Sequence, residues 1–318
     1  MTKTIERPGE IDALVGQGEL VARLKIVMAG ARLRETRAPH VLLSGPPGTG
    51  KTTLARIVAH ELGAELATSS GPALRKGADL VGILSSLESK DGAPAVLFID
   101  EVHRLPMIVE ETLYEVLEDG VISVVIGSGN DARTISLKLP PLVVVGATTK
   151  PGAISQPLRD RFGFHGTMAP YSDAEIAEIV TREWRRFGAE PEPGAPLSVA
   201  TRSKGVPRIA LHLANRVLDV TMIERTEITP ATAERALLAF GVGTGGLDET
   251  DLRIINALTV TFKGRAIGLD ALAQALDLDA YDIQRDHEGP LVRMGLMVRT
   301  STGRMATEAA YQLMGVGR

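Results

Sequence analysis

Cysteine is absent from the 318 residues. That excludes disulfide frameworks, cysteine-ligated zinc ribbons and thiol chemistry, and it fits a reducing cytosol. A basic excess is missing too: 35 Lys and Arg stand against 39 Asp and Glu, a formal charge of −4. There is no global signature of a nucleic-acid binder, so any such surface has to be local. The opening Met1-Thr2-Lys3-Thr4-Ile5-Glu6-Arg7 lacks the apolar stretch of a secretory signal. No apolar run approaches the length that spans a bilayer. Internal repeats and low-complexity tracts are also lacking. These absences leave a cytoplasmic protein with no membrane partner. A hydrophobic content of 44% and a charged content of 23% are ordinary for a globular chain, and the length allows two or three domains.

What is present is organised around Gly45-Pro46-Pro47-Gly48-Thr49-Gly50-Lys51-Thr52. This string fits the phosphate-binding loop G-x-x-x-x-G-K-[ST]. Val41-Leu42-Leu43 before it reads as a buried strand, and Thr53 to Leu62 after it as a helix that Gly63 stops. Strand, glycine loop and helix start aim backbone N–H groups and the positive helix end at one anion. Lys51 is expected on the β- and γ-phosphates of ATP, and the Thr52 hydroxyl on Mg²⁺. Leu20 to Leu33 form an amphipathic helix ahead of the loop, and the stretch after Gly63 reads as polar loops and a short helix.

Ala95-Val96-Leu97-Phe98-Ile99-Asp100-Glu101 reads as a central parallel strand ending in two acids. Such a strand end belongs beside the ligand. Asp100 is expected to hold Mg²⁺ and Glu101 to polarise the attacking water. His103 completes the string Asp-Glu-Val-His and is either structural or part of a relay. The same string occurs in helicases with two tandem nucleotide-binding cores, but too little chain remains here for a second core. Glu110 to Glu118 read as a helix. Val121–Ile126 and Thr134–Leu139, separated by Gly127-Ser128-Gly129-Asn130-Asp131, read as a β-hairpin whose apolar side needs cover from its own domain or from a partner. Leu142 to Thr149 is a further buried strand, placing Thr149 near the γ-phosphate. In Arg159-Asp160-Arg161, one arginine is expected to pair with Asp160 or Glu101 while the other meets a phosphate.

Tyr171-Ser172-Asp173-Ala174-Glu175 opens an all-helical stretch through a capping box. Helices are expected at about 173–187, 197–202, 207–223 and 230–240. Arg208 adds positive charge to a positive helix end, which makes sense where an anion sits there; the alternative is a surface arginine. Gly241 to Gly246 is a linker by composition. Helices at about 249–260, 269–276 and 281–294, then a hairpin around Ser301-Thr302-Gly303, are the parts of a winged helix. Arg293, Arg299 and Arg304 make its local basic patch, suited to phosphate contact or, equally, to a protein partner.

Together these strings resemble the AAA+ ATPases and, within them, the RuvB family of motors that drive Holliday junction branch migration. The most specific are Leu97 to Leu105, Gly146-Ala147-Thr148-Thr149, Pro157 to Gly163, Gly268 to Ala273 and Gly303-Arg304-Met305-Ala306-Thr307. The resemblance implies an α/β phosphate-loop core of parallel sheet with helices on both faces (1–171), an all-α lid (172–244) and a C-terminal winged helix (245–318). It implies ATP hydrolysis with Mg²⁺ by a homohexameric ring on duplex DNA at four-way junctions. A RuvA-type partner would dock on the 121–139 hairpin. Thr149 would be the first sensor, Arg161 the finger entering a neighbour's site, and Arg208 the second sensor. Arg7, Gly48, Gly50, Lys51, Thr52, Thr53, Glu118, Asp119, Gly120 and Tyr171 would surround ATP, and Arg299 and Arg304 would contact DNA. The chain departs from the family on the wing, where Arg299-Thr300-Ser301-Thr302-Gly303-Arg304 replaces Arg-Thr-Pro-Arg-Gly-Arg and removes one charge. It also departs at Glu6, where an apolar residue is usual, and at Glu288-Gly289-Pro290-Leu291, where Glu-Pro-Tyr-Leu is usual. Rival readings are a clamp loader, a DNA-binding regulator that uses ATP as a switch, and a protein-remodelling ATPase.

Overall fold

The computed structural model describes residues 11–87, 94–126 and 133–317. It divides into two compact units, one ending at Tyr171 and one starting at Ser172.

In the first unit, helix α1 (Gly18–Leu33) precedes strand β1 (Val41–Ser44), the phosphate loop and helix α2 (Lys51–Glu61). Then come β2 (Leu66–Ser70), α3 (Gly77–Ser85), β3 (Ala95–Asp100) and α4 (Met107–Glu118). A hairpin of β4 (Val121–Ile126) and β5 (Arg133–Lys138) interrupts the core before β6 (Leu142–Thr148), α5 (Gln156–Asp160) and β7 (Phe164–Thr167). The sheet order is β2-β3-β6-β1-β7, every pairing parallel. Strand side chains alternate between faces, and the core follows that alternation. Leu42, Leu97, Ile99, Leu142 and Val144 pack under α3, α4 and α5. Val41, Leu43, Val96, Phe98, Val143 and Val145 pack under α1 and α2. A strand buried on both faces has to be apolar throughout, which is why β3 and β6 read so plainly.

Of the two edge strands, β2 corrects the sequence reading, which gave loops and a short helix after Gly63, and β7 lies where the sequence gave no element. Leu66-Ala67-Thr68-Ser69-Ser70 is only half-buried, and Phe164-His165-Gly166-Thr167 hides every second residue. An edge strand needs one covered face at most, so its composition carries little signal. The expected hairpin forms, with Val121 opposite Lys138 and Ser123 opposite Ser136. Its expected turn lies outside the described residues. Ile122 and Leu139 are buried in the core, whereas β5 is exposed along its whole length. The domain thus covers the base of the hairpin and leaves β5 open.

The second unit begins with α6 (Asp173–Arg186), α7 (Ala195–Ala200), α8 (Pro207–Glu224) and α9 (Pro230–Ala239). The expected capping box starts α6: the Ser172 hydroxyl accepts from the Glu175 amide and the Glu175 carboxylate accepts from the Ser172 amide. Fully buried Trp184 centres the bundle, its indole donating to the Ala214 carbonyl at 2.9 Å. After the glycine linker come α10 (Glu249–Asn256), α11 (Leu269–Leu276), α12 (Ala280–Asp282), α13 (Gly289–Arg293), the wing strands β8 (Met297–Thr300) and β9 (Gly303–Ala306), and α14 (Glu308–Met314). Two stretches expected as plain helix, Ala257–Thr261 and Ile283–Glu288, are π-helical turns. Helix α14 is an element beyond the three helices and hairpin that the sequence predicts. Thr307 caps its start, and it buries Ala310 and Tyr311 in the winged-helix core.

Candidate ATP-hydrolysis site

The loop joins β1 to α2 and is tied to the next strand by the Gly45 amide, which donates to the Thr148 carbonyl at 3.2 Å. Gly48 and Gly50 adopt positive φ of 78° and 99°, the second as the residue that starts α2. A side chain is strained at such angles, so the turn that aims the helix end depends on glycine. The Thr49 hydroxyl is fully buried and donates to the Pro46 carbonyl at 2.9 Å. Lys51, also buried, donates its ammonium to the carbonyls of Gly45 and Pro46, each at 2.8 Å. Thr52 and Thr53 follow on the first turn of α2, both half-buried. Tyr171 seals the loop from the far end of the unit: its hydroxyl donates to the Thr49 carbonyl at 3.2 Å.

Asp100 ends β3, and its carboxylate accepts the Glu101 amide at 2.9 Å. Glu101 itself stands in the left-handed region at φ 52°, an uncommon posture for a side-chain-bearing residue and one that concentrates at functional sites. Its carboxylate lies 3.3 Å from Nε2 of His103, whose side chain is 8% exposed. The other ring nitrogen, Nδ1, lies 2.9 Å from the buried hydroxyl of Thr148, at the end of β6. Burial holds the His103 pKa below the usual histidine value, against the opposing pull of Glu101. Thr149 falls one residue beyond the strand and is half-buried. A hydroxyl from Thr52 and a carboxylate from Asp100 are hard oxygen donors, the kind Mg²⁺ prefers.

Arg161 ends α5 and is held by one face of α4. Residues four apart share a helix face, and Glu110, Tyr114 and Glu118 form such a stripe. Glu110 accepts from the Ser155 hydroxyl, and that hydroxyl caps the start of α5. The Tyr114 ring lies 4.6 Å beneath the Arg161 guanidinium. The Glu118 carboxylate pairs with it at 2.8 Å. This corrects the expected pairing with Asp160 or Glu101: Asp160 accepts from Gln156 at 2.6 Å, and Arg159 donates to the Pro151 carbonyl. Glu118 is the last residue of α4, with Asp119 and Gly120 following it, and the Glu118 carboxylate is the group of this string that contacts Arg161. Arg7 lies outside the described residues.

In the second unit, exposed Arg208 is the second residue of α8. Arg299 and Arg304 sit directly opposite each other across the wing hairpin. Both reach Glu288, whose carboxylate is fully buried: Arg299 Nε at 2.6 Å, Arg304 Nε at 3.0 Å. Nothing in the sequence points to Glu288 as the partner of these arginines, although it opens the string Glu288-Gly289-Pro290-Leu291 that departs from the family. Asp248, Asp251 and His287 also cluster, but the Lys204 ammonium already sits on Asp251 and pins the lid to α10.

The family model for the Holliday junction DNA helicase RuvB P-loop domain matches residues 6–168. The models for the RuvB AAA lid domain and the RuvB C-terminal winged helix domain match 171–243 and 244–315. The Holliday junction branch migration complex subunit RuvB of Kosmotoga olearia is 41% identical, the alignment covering 100% of this chain and 92% of the relative. Its counterpart from Salinibacter ruber is 44% identical over 96% and 88%. The solved Thermotoga maritima RuvB branch migration motor superposes with a TM-score of 0.87 at 37% identity, covering 98% of this chain and 99% of that one. With all three modules matched in order and relatives aligned along nearly their whole length, the chain belongs to the RuvB family of ATP-driven branch migration motors.

Proposed function

We propose that the chain is the motor subunit of a homohexameric ring that encircles duplex DNA at four-way junctions and moves the branch point with energy from ATP hydrolysis. The single observation that carries this reading is where Arg161 rests. Among the described residues its partners lie on α4 and α5 and none on the phosphate loop. An arginine so presented suits a neighbour's site better than its own. In this reading ATP is gripped by Gly48, Gly50, Lys51, Thr52, Thr53 and Tyr171 of one subunit, with Arg7 and Arg208 from the same chain. Arg161, with Glu118, Asp119 and Gly120 beside it, comes from the next.

Thr52 and Asp100 would hold Mg²⁺, which would supply positive charge against the phosphates. Glu101 orients the water, and Thr149 reads the γ-phosphate. Little covalent chemistry is asked of the protein, because positioning and charge do most of the work in phosphoryl transfer. Making hydrolysis wait for a neighbour's arginine couples the chemistry to assembly. The modules are assigned as 1–171 for ATP, 172–244 for the lid and 245–318 for DNA, with Arg299 and Arg304 on phosphates. The exposed strand β5 supports docking of a RuvA-type protein on the 121–139 hairpin. Among the described residues no helix is long and apolar enough to cross a membrane, and the lack of cysteine supports work in the cytoplasm.

The test is a migration assay on a synthetic four-way junction with ATP, with and without a RuvA-type protein. Branch movement that needs ATP and is stimulated by the partner is expected. Intact ATPase with no migration in either case would overturn the motor reading.

A further inference from the structure

We propose that His103 is a positioning residue for Glu101, holding its carboxylate to the end of β6 through Thr148. The inference rests on the reading of Glu101 as the residue that orients the attacking water.

Three independent features converge on it. First, Glu101 occupies a strained backbone conformation, with φ 52° and ψ 42°, which persists only where the surroundings enforce it. They do: a Cβ on Gly71 would lie 2.4 Å from the Glu101 carbonyl oxygen. Only glycine lets the neighbouring turn close over this residue.

Second, the hydrogen inventory of His103 is determined by its neighbours. The Lys150 amide donates to the Thr148 hydroxyl at 2.9 Å. That hydroxyl has one proton to give, and Nδ1 of His103 stands 2.9 Å away. If Nδ1 accepts it, the neutral ring carries its proton on Nε2, which faces the Glu101 carboxylate at 3.3 Å. The other neutral tautomer would point a bare lone pair at a carboxylate, which is repulsive. The doubly protonated ring is disfavoured by burial. Electrostatics therefore selects the Nε2–H form. A distance of 3.3 Å is long for a hydrogen bond, but catalytic hydrogen bonds are often long before the reacting complex forms.

Third, the link ends on useful ground. Thr148 is fully buried. It precedes Thr149, and its carbonyl accepts the amide that opens the phosphate loop. A shift of the β6 end would move Thr148, His103 and Glu101 together. The ring moves no proton. It holds one carboxylate oxygen and leaves the other for water.

The experiment compares the full-length protein with His103→Leu, His103→Gln, Thr148→Val and Glu101→Gln. In His103→Leu, kcat for DNA-stimulated ATP hydrolysis should fall about ten- to a hundredfold, the range seen when a group that orients a functional residue is removed. KM for ATP should change less than about twofold, since uniform binding is untouched. His103→Gln, which keeps an N–H donor, should recover part of the loss. Combining His103→Leu with Thr148→Val should add little beyond the worse single variant, as for residues acting through one link. A readout without nucleotide comes from ¹⁵N-histidine NMR, with the signal assigned by its disappearance in His103→Gln: a neutral ring protonated at Nε2 is expected at pH 7.5. Protonation at Nδ1, or on both nitrogens, would overturn the proposal. So would normal kcat in His103→Leu when Glu101→Gln is inactive. If Glu101→Gln itself turns over normally, the water-orienting reading falls instead, and the two failures are told apart.

Discussion

Lys51 and the wing arginines are both cations proposed to meet phosphate, but they rest on different partners. Lys51 rests on the carbonyls of Gly45 and Pro46. Arg299 and Arg304 share the buried carboxylate of Glu288. A carbonyl is a neutral acceptor, so these two contacts leave the charge of the Lys51 ammonium uncancelled. A carboxylate cancels charge, so in the proposed reading DNA would compete with Glu288 for the same guanidinium groups. The same contrast runs through the acids. Glu101 faces a neutral imidazole, whereas Glu118 faces a guanidinium. In the proposed nucleotide site, the imidazole at Glu101 and the two carbonyls at Lys51 are neutral contacts. The residues proposed to reach another molecule are stored in ion pairs that must open first.

The largest expected effect breaks the comparison on the nucleotide side. Glu101→Gln should cut turnover by roughly two to four orders of magnitude, the range for a positioned acid–base group. Bound ATP should be retained, as single-turnover and filter-binding measurements would show. Normal turnover would remove Glu101 from its role.

A smaller effect concerns pH. His40 joins β1, β6 and α4: its Nδ1 accepts the Val144 amide at 2.9 Å, and Nε2 meets the Leu117 carbonyl at 3.1 Å. Burial lowers its pKa to about 4. The unfolded chain therefore binds a proton that the folded one refuses. Stability is fully present above about pH 6.5 and is lost as pH falls from there toward 4, by about 3 kcal/mol for this group. Urea unfolding across that range should show the slope, and His40→Gln should flatten it. An unchanged slope would mean the ring is not the titrating group.

The smallest effects sharpen the wing side. Arg304→Ala should weaken duplex binding by a similar factor on every sequence and lower the salt slope by about 1. Glu288→Gln should do the reverse, releasing both arginines, steepening the salt dependence and tightening binding at low salt. A sequence-selective loss in Arg304→Ala would favour a regulator over a motor.

The comparison also separates what sequence shows from what it hides. The loop at Gly45–Thr52 and the acids at Asp100–Glu101 were legible because each is a contiguous string whose chemistry depends on local order. Strands β3 and β6 were legible because burial on both faces demands unbroken apolar residues. Strands β2 and β7 were not, since an edge tolerates Thr, Ser, His and Gly. The pairing of Arg161 was misread, because nothing local announces that Glu118, 43 residues away, is its neighbour. Glu288 was invisible for the same reason: it lies 11 and 16 residues from the arginines it binds. The π-helical turn that carries Glu288 has no periodicity that sequence alone distinguishes from an α-helix. Helix α14 went unforeseen, its short apolar stripe of Ala310 and Tyr311 following the wing closely.

The central claim is that one subunit's loop is completed by its neighbour's arginine, and mixing tests it most directly. Lys51→Ala and Arg161→Ala each remove one half of the proposed site, and either alone should lose about three orders of magnitude in DNA-stimulated ATP hydrolysis. Mixed rings pair the intact loop of an Arg161→Ala subunit with the intact arginine of a Lys51→Ala neighbour. The account predicts that the mixture regains a readily measured fraction of wild-type ATPase. A mixture as inactive as its components, or an Arg161→Ala protein that hydrolyses ATP normally by itself, would contradict it.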